Sequence, residues 1–237
     1  YLISSIASFL SIVLPFSFFL FFGKRKLSDT VLVEKNGVLN SVLLVFAGLA
    51  VSVLMNIPAN LISQLLEGAG LNGDANTADL LAMTPVQALT MFVSVVLVAP
   101  VTEEFAFRSV TTAVMRRWGD WPAVIFSALI FGMAHYSIQS LPVVLMAGFV
   151  MALLYVRTRN IWVNIFVHML NNLLATLPIA LEGLVGADAA NIASNLLTYI
   201  VYGLGLVALV VLLIRNFTGH KAVSYTHLRA HETDSYL

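Results

Sequence analysis

Long uninterrupted apolar runs constrain this chain more than any other feature of its sequence. Several of them reach the roughly 20 residues that an α-helix needs to cross the hydrocarbon core of a bilayer. They dominate the composition: 59% of the 237 residues are hydrophobic and 10% are charged, whereas a soluble domain is roughly 45–50% apolar. A transmembrane β-barrel would instead show segments of alternating polarity, each of roughly ten residues. The sequence therefore predicts an all-α fold, a polytopic transmembrane helical bundle.

The positions of the apolar runs predict about seven membrane spans in this chain, which we expect to be a fragment because Tyr1 is not a methionine and lies inside such a run. Each span is followed by a short polar connection or by a turn signal. The predicted spans are residues 2–22, 38–66, 86–116, 122–136, 141–156, 161–180 and 192–214.

Basic residues fall only on alternate connections between these spans, apart from the polar tail. By the positive-inside rule that side is cytoplasmic, which places the N-terminus of the chain outside and its C-terminus in the cytoplasm. The protein is therefore expected to be an integral membrane protein, with the plasma membrane as its location and the lipid bilayer as its partner. The basic residues on that side are Lys24, Arg25, Lys26, Lys35, Arg116, Arg117, Arg157, Arg159, Arg215 and Lys221.

Composition also excludes several classes of function. The formal net charge is zero, so no nucleic-acid partner is predicted. The chain has no cysteine, which excludes disulfides, thiolate metal sites and a cysteine nucleophile. Residues 223–237 change abruptly to a polar composition that resembles translated vector sequence, and we expect this tail to be non-native.

Three ionisable residues lie inside the predicted third span: Glu103, Glu104 and Arg108. Ionisable groups at membrane depth are costly and by default indicate a functional site. Glu104 and Arg108 stand four residues apart and can pair on one helix face. Glu103 is turned by roughly 100° from Glu104, so one carboxylate is predicted to form an ion pair while the other stays available for chemistry. The alternative is a buried ion pair that only holds helices together.

Three further polar residues lie inside other predicted spans: His135 in the fourth, and His168 and Asn172 in the sixth. A single histidine on an apolar helix is more often a hydrogen-bonded core residue than a catalyst. His168 and Asn172, however, are four residues apart and share a face. Counting inward at the helical rise per residue places all three within the membrane, at depths from which they and Glu103 could converge on one polar pocket.

Such a pocket supports hydrolysis of a peptide bond. A carboxylate such as Glu103 can act as general base toward a water molecule, and a neighbouring histidine can orient that water and carry its proton. A histidine and an asparagine amide can donate hydrogen bonds to the oxyanion that develops. The alternative mechanism is a zinc site formed by Glu103, His135 and His168. The chain has no His-Glu-x-x-His motif, so activation of water without any cofactor is favoured.

Two backbone features accompany these groups. Pro100 lies three residues before Glu103 and would free a backbone carbonyl and kink the helix, although a membrane helix can also simply tolerate a proline. Gly132 and Gly148 could permit close contact between helices.

The motifs Glu103-Glu104-x-x-x-Arg108, Phe131-x-x-x-His135 and His168-x-x-x-Asn172 resemble, in order and separation, those of the CAAX prenyl protease and bacteriocin-processing family. These are the Abi-type glutamate intramembrane proteases. The resemblance covers about residues 85–180 and implies a helical membrane endopeptidase in which Glu103 activates water and His135 assists it. It also implies that His168 and Asn172 bind the oxyanion, while Glu104 and Arg108 support the site.

This resemblance gives the chain an expected organisation. Residues 1–84 would form N-terminal helices and a loop, residues 85–180 the catalytic core, and residues 181–222 a C-terminal helix. The implied substrate is a peptide, or a prenylated or otherwise lipidated protein. Two alternatives are a non-catalytic scaffold or bacteriocin-immunity protein of the same fold, and a proton-coupled transporter. The transporter is disfavoured because the sequence shows no internal repeat.

Overall fold

The computed structural model describes residues 2–71 and 84–218, and this part of the chain is almost entirely helical. Residues 72–83 and the predicted non-native tail, residues 223–237, lie outside the described residues. A single helical turn, Leu27–Thr30, follows the first long helix. The long helices are α1 (Leu2–Phe22), α2 (Val38–Gly68), α3 (residues 85–118), α4 (Asp120–Met133), α5 (Leu141–Thr158), α6 (Ile161–Val185) and α7 (Ala187–Phe217).

Five of these helices, α2, α3, α5, α6 and α7, are long and apolar enough to cross a membrane. Two shorter apolar helices, Phe9–Phe22 within α1 and Asp120–Met133, stand where the first and fourth spans are predicted. The all-α, polytopic membrane class is therefore confirmed. The count of about seven spans stays a prediction, because the structure supports five by length and composition.

Helix α3 is irregular along its length, and it carries the first motif. It begins at a capping box in which Thr84 Oγ1 accepts from Gln87 N and Gln87 Oε1 accepts from Thr84 N. Two π-helical segments then alternate with α-helical ones. The order is Pro85–Phe92 (α), Val93–Val98 (π), Ala99–Glu103 (α), Glu104–Thr111 (π), Thr112–Met115 (α) and a final turn of 3₁₀ helix, Arg116–Trp118.

The second π segment is stabilised by hydroxyl groups. Thr111 Oγ1 donates to the carbonyl oxygen of Ala106 at 3.0 Å, five residues earlier. Ser127 Oγ of α4 donates to the Phe107 carbonyl at 2.7 Å. Segments with this wider turn are frequent at functional sites, and here the junction between α and π geometry falls between Glu103 and Glu104.

The core that surrounds α3 is built from side chains of five helices. In lipid there is little hydrophobic drive between helices, so close packing and small residues hold them together. A Cβ added at Gly148 would lie 2.9 Å from Phe131 Cδ1, and one added at Gly132 would lie 2.7 Å from Leu145 Cδ2. Close helix contact at these two glycines is thus confirmed. The buried core residues are Leu44, Val45, Ala106, Phe107, Phe131, Met151, Val163 and Val167.

The basic connections gather at one end of the bundle. Glu34 pairs with Arg159, the Asn160 side chain donates to the Glu34 carbonyl at 2.8 Å, and Val33 forms a β-bridge with Asn160. Arg215 at the end of α7 donates to Asn40 at 2.6 Å. The connections after α1 and α5 thus contact each other, and the end of α7 contacts the start of α2; the orientation of the chain in the membrane stays a prediction.

Candidate active site

Glu104 and Arg108 form an ion pair in the interior of the bundle. Arg108 Nε lies 3.3 Å from Glu104 Oε2, and both side chains are fully buried. The pairing predicted from their spacing is confirmed. A buried pair of this kind is strongly destabilised when one partner is removed, because the other charge then remains in a site of low dielectric without compensation.

The rest of the Arg108 guanidinium meets an aromatic ring. Its central carbon lies 4.1 Å from the centre of the Phe131 ring, a distance typical of a cation–π contact. Among the described residues, none of its three nitrogens has a partner at hydrogen-bond geometry. The positive charge is therefore balanced by the carboxylates of Glu104 and Glu103 and by one ring rather than by a set of directed hydrogen bonds.

His168 of α6 lies between the two glutamates. Its Nδ1 is 2.9 Å from Glu104 Oε1, and its Nε2 is 3.7 Å from Glu103 Oε2. Since an ionised carboxylate can only accept, Nδ1 carries a proton in this contact, which sets the orientation of the ring. Nε2 is thereby directed toward Glu103, whose side chain is 15% exposed. One carboxylate is enclosed and the other remains accessible.

Asn164 completes the surroundings of Glu104 and was not predicted. Its Nδ2 donates to Glu104 Oε2 at 3.3 Å and to the Met151 carbonyl at 2.6 Å, and the residue is fully buried. It stands four residues before His168, on the same face of α6. That spacing was a usable signal in the sequence, since Asn164, His168 and Asn172 form one polar stripe on an apolar helix.

His135 follows the end of α4 and contacts the same phenyl ring as His168. Its Nδ1 lies 2.9 Å from the Phe131 carbonyl oxygen, so that nitrogen must donate and Nε2 is the free acceptor of the neutral ring. The Phe131 ring centre is 4.8 Å from that of His135 and 5.8 Å from that of His168. Phe131 thus separates the two imidazoles and supports both of them.

Asn172 lies one turn beyond His168 and contacts the backbone of α3. Its Nδ2 donates to the Val95 carbonyl at 2.9 Å. The structure therefore brings Glu103, Glu104, Arg108 and His168 into direct contact. His135 instead contacts the carbonyl of Phe131, whose ring touches Arg108 and His168, and Asn172 contacts the carbonyl of Val95.

The zinc alternative does not find a ligand set here. Within residues 2–71 and 84–218, no three His, Cys, Asp or Glu side chains are grouped so that they could hold a metal ion. Glu103 and His168 face each other, and the contact of His135 Nδ1 with the Phe131 carbonyl leaves Nε2 as the nitrogen of that ring that could bind a ligand. In the described part of the chain these side chains are thus not grouped as a three-ligand site, and a mechanism without metal stays a prediction.

Two comparisons with known proteins found a match to this chain. Residues 85–174 match the family described as "Type II CAAX prenyl endopeptidase Rce1-like". A protein of Bacillus subtilis (strain 168), named "Putative membrane peptidase YdiL", is 31% identical over 140 residues. That alignment covers 59% of this chain and 57% of the relative. No solved structure matches.

The matched region contains all three motifs and the whole of the site. The family description and the name of the relative both support a membrane protease at the level of the family. The resemblance inferred from the motifs is thereby confirmed for residues 85–174, which are similar to the Rce1-like CAAX prenyl endopeptidases.

Proposed function

We propose that this protein is an intramembrane endopeptidase in which Glu103 activates a water molecule. The observation that carries the proposal is the contact of Glu103 Oε2 with His168 Nε2 at 3.7 Å. Next to it, Glu104 is fully engaged by Arg108, Asn164 and the other nitrogen of His168. Of the two adjacent carboxylates, only Glu103 is partly exposed.

We propose the following reaction for these side chains. Glu103 removes a proton from water as the water oxygen attacks the peptide carbonyl carbon. The oxyanion that forms accepts hydrogen bonds from Nε2–H of a doubly protonated His168 and from the amide of Asn172. The carbon–nitrogen bond then breaks, and the proton passes to the leaving amine, so that one peptide and one water give a carboxylic acid and an amine.

His135 fits the role of a proton acceptor near this site. Its Nδ1–H is held by the Phe131 carbonyl, so its free Nε2 is the basic nitrogen. We propose that it orients the attacking water together with Glu103. Glu104 and Arg108, with Asn164, act through His168 by fixing the direction of its ring.

We propose a membrane-associated substrate, namely a lipidated or prenylated protein or peptide. The site lies in helices long and apolar enough to cross a bilayer, and the matching family is one of prenyl endopeptidases. The test is cleavage by the purified protein in liposomes of two probes: a farnesylated peptide that ends in Cys–aliphatic–aliphatic–X, and the same peptide without the lipid. The non-catalytic scaffold would be supported instead by two results together: neither probe is cleaved, and no uncut protein accumulates in host membranes when Glu103 is replaced.

We further propose seven spans in the plasma membrane, with the N-terminus of the chain outside and its C-terminus in the cytoplasm. Because the chain has no cysteine, single cysteines report its orientation directly. Ile138→Cys should react with a membrane-impermeant maleimide on intact cells, whereas Lys35→Cys should react only after permeabilisation. Both residues are exposed. The opposite pattern would invert the topology.

We propose that cleavage does not depend on a bound metal, because the chain has no His-Glu-x-x-His motif and the three candidate ligands come from separate helices. Activity of the purified enzyme should survive dialysis against EDTA and the addition of 1,10-phenanthroline, and elemental analysis of that preparation should find no stoichiometric metal. Loss of activity on chelation that is restored by zinc would revive the metal mechanism. A zinc metalloprotease of known sensitivity, assayed in the same detergent, is the control.

A further inference from the structure

Pro100 and Asn172 are connected through a single backbone carbonyl. Ala99 N–H donates to the Ser94 carbonyl, five residues earlier, as a π-helix requires. In the same register the next acceptor, the Val95 carbonyl, would need an N–H from residue 100. Residue 100 is a proline, which has none. The Val95 carbonyl instead accepts from Asn172 Nδ2 at 2.9 Å.

We infer that Pro100 is a positioning residue for Asn172. By withholding its own N–H, it leaves the Val95 carbonyl free to anchor the asparagine side chain. The inference rests on the proposed function, in which Asn172 donates to the oxyanion, and it assigns the reason why that amide is held in place. It also gives a role to Pro100, the buried proline inside α3.

The geometry of the amide group makes this anchor effective. A carboxamide NH₂ is planar and has two donors. When one of them is fixed on the Val95 carbonyl, the direction of the second is fixed as well. Asn172 stands one helical turn from His168 on α6, so the second N–H is oriented without any contact to the substrate. Preorganised donors of this kind require no reorganisation when charge develops.

Pro100 and the proposed base, Glu103, lie close together on α3. Pro100 is the second residue of the α-helical stretch Ala99–Glu103, which ends at the proposed base. Pro100 leaves the Val95 carbonyl to Asn172, and Glu103 activates water. The two residues therefore lie within one turn of the same helix. A change at Pro100 should disturb the oxyanion donor while leaving the contact between Glu103 and His168 in place.

The test is Pro100→Ala, which restores an N–H that can bond to the Val95 carbonyl and release Asn172. With the farnesylated peptide as probe, we expect kcat to fall about 10- to 100-fold, part of the 10²–10³-fold cost of removing one oxyanion donor, with KM unchanged. The double variant Pro100→Ala/Asn172→Ala should be no slower than Asn172→Ala alone. Wild-type kcat in Pro100→Ala, or a fully multiplicative loss in the double variant, would overturn the inference.

Two further measurements separate this inference from the proposed function. Pro58→Ala, which alters an exposed helical proline of α2, is the matched control and should keep wild-type kcat. Hydrogen exchange of the Asn172 side chain, measured by NMR with isotope-labelled asparagine, should be faster in Pro100→Ala whether or not any probe is cleaved. Unchanged exchange would refute the anchor, while absent cleavage in the wild type would refute only the assigned activity.

Discussion

Replacing Arg108 with leucine is expected to destabilise the protein by about 3–5 kcal/mol, the cost of leaving one partner of a buried ion pair without its counter-charge. Glu104 is fully buried, and its remaining partners are His168, which is charged only when it is doubly protonated, and the neutral amide of Asn164. Thermal unfolding of the purified protein in detergent measures the effect, and the variant should also lose activity because the orientation of His168 depends on Glu104.

A second ion pair, between the end of α3 and the start of α4, provides a control. Arg116 Nε lies 3.1 Å from Asp120 Oδ1, again four residues apart, but both side chains are partly exposed. Arg116→Leu should therefore cost only about 0.2–1 kcal/mol, as exposed pairs do. The double variant Arg108→Leu/Glu104→Gln also removes the uncompensated carboxylate charge, so it should recover part of the lost stability. Equal destabilisation by Arg108→Leu and Arg116→Leu would contradict the account of a buried pair.

Replacing Glu103 with glutamine is expected to abolish cleavage, with a loss of about 10²–10⁴-fold from removal of the general base. The substitution keeps the size of the side chain, and Glu103 is partly exposed, so the folded protein should be preserved. The rate of probe cleavage in liposomes is the measurement, with thermal unfolding and gel filtration as checks of folding. Glu67→Gln, at an exposed glutamate that ends α2, should retain wild-type activity.

The sequence alone was sufficient to place the long helices and the ion pair. Apolar runs determine where helices can cross a bilayer, and a spacing of four residues determines which side chains share a helical face. The predicted ranges agree with α2, α5 and α7 to within a few residues. Local rules suffice for these features because each depends on residues that are close in the chain.

The details of the site could not be predicted in the same way. The two π segments of α3 change the number of residues per turn, so the roughly 100° divergence expected for Glu103 and Glu104 in a regular α-helix does not describe their contacts. Both reach His168 instead, one at each ring nitrogen. Hydrophobic periodicity does not reveal where such segments lie.

Backbone partners were equally hidden. The sequence predicted that Pro100 would free a carbonyl, but it could not show that Asn172, 77 positions from Val95, would occupy it. It also did not show that His135 would bond to the Phe131 carbonyl. Every residue has the same backbone carbonyl group, so a sequence motif does not show which carbonyl a distant side chain binds. Asn164, by contrast, stood in the polar stripe of α6 and could have been found.

The most direct test of the account compares membranes of the host that express either the wild-type protein or Glu103→Gln. Quantitative mass spectrometry of peptides from both should find at least one membrane-associated protein that is truncated with the wild type and intact with the variant. Restoring the glutamate should restore the truncated form. If every membrane protein has the same termini in both membranes while the variant is folded and expressed equally, this protein is not the peptidase that its site indicates.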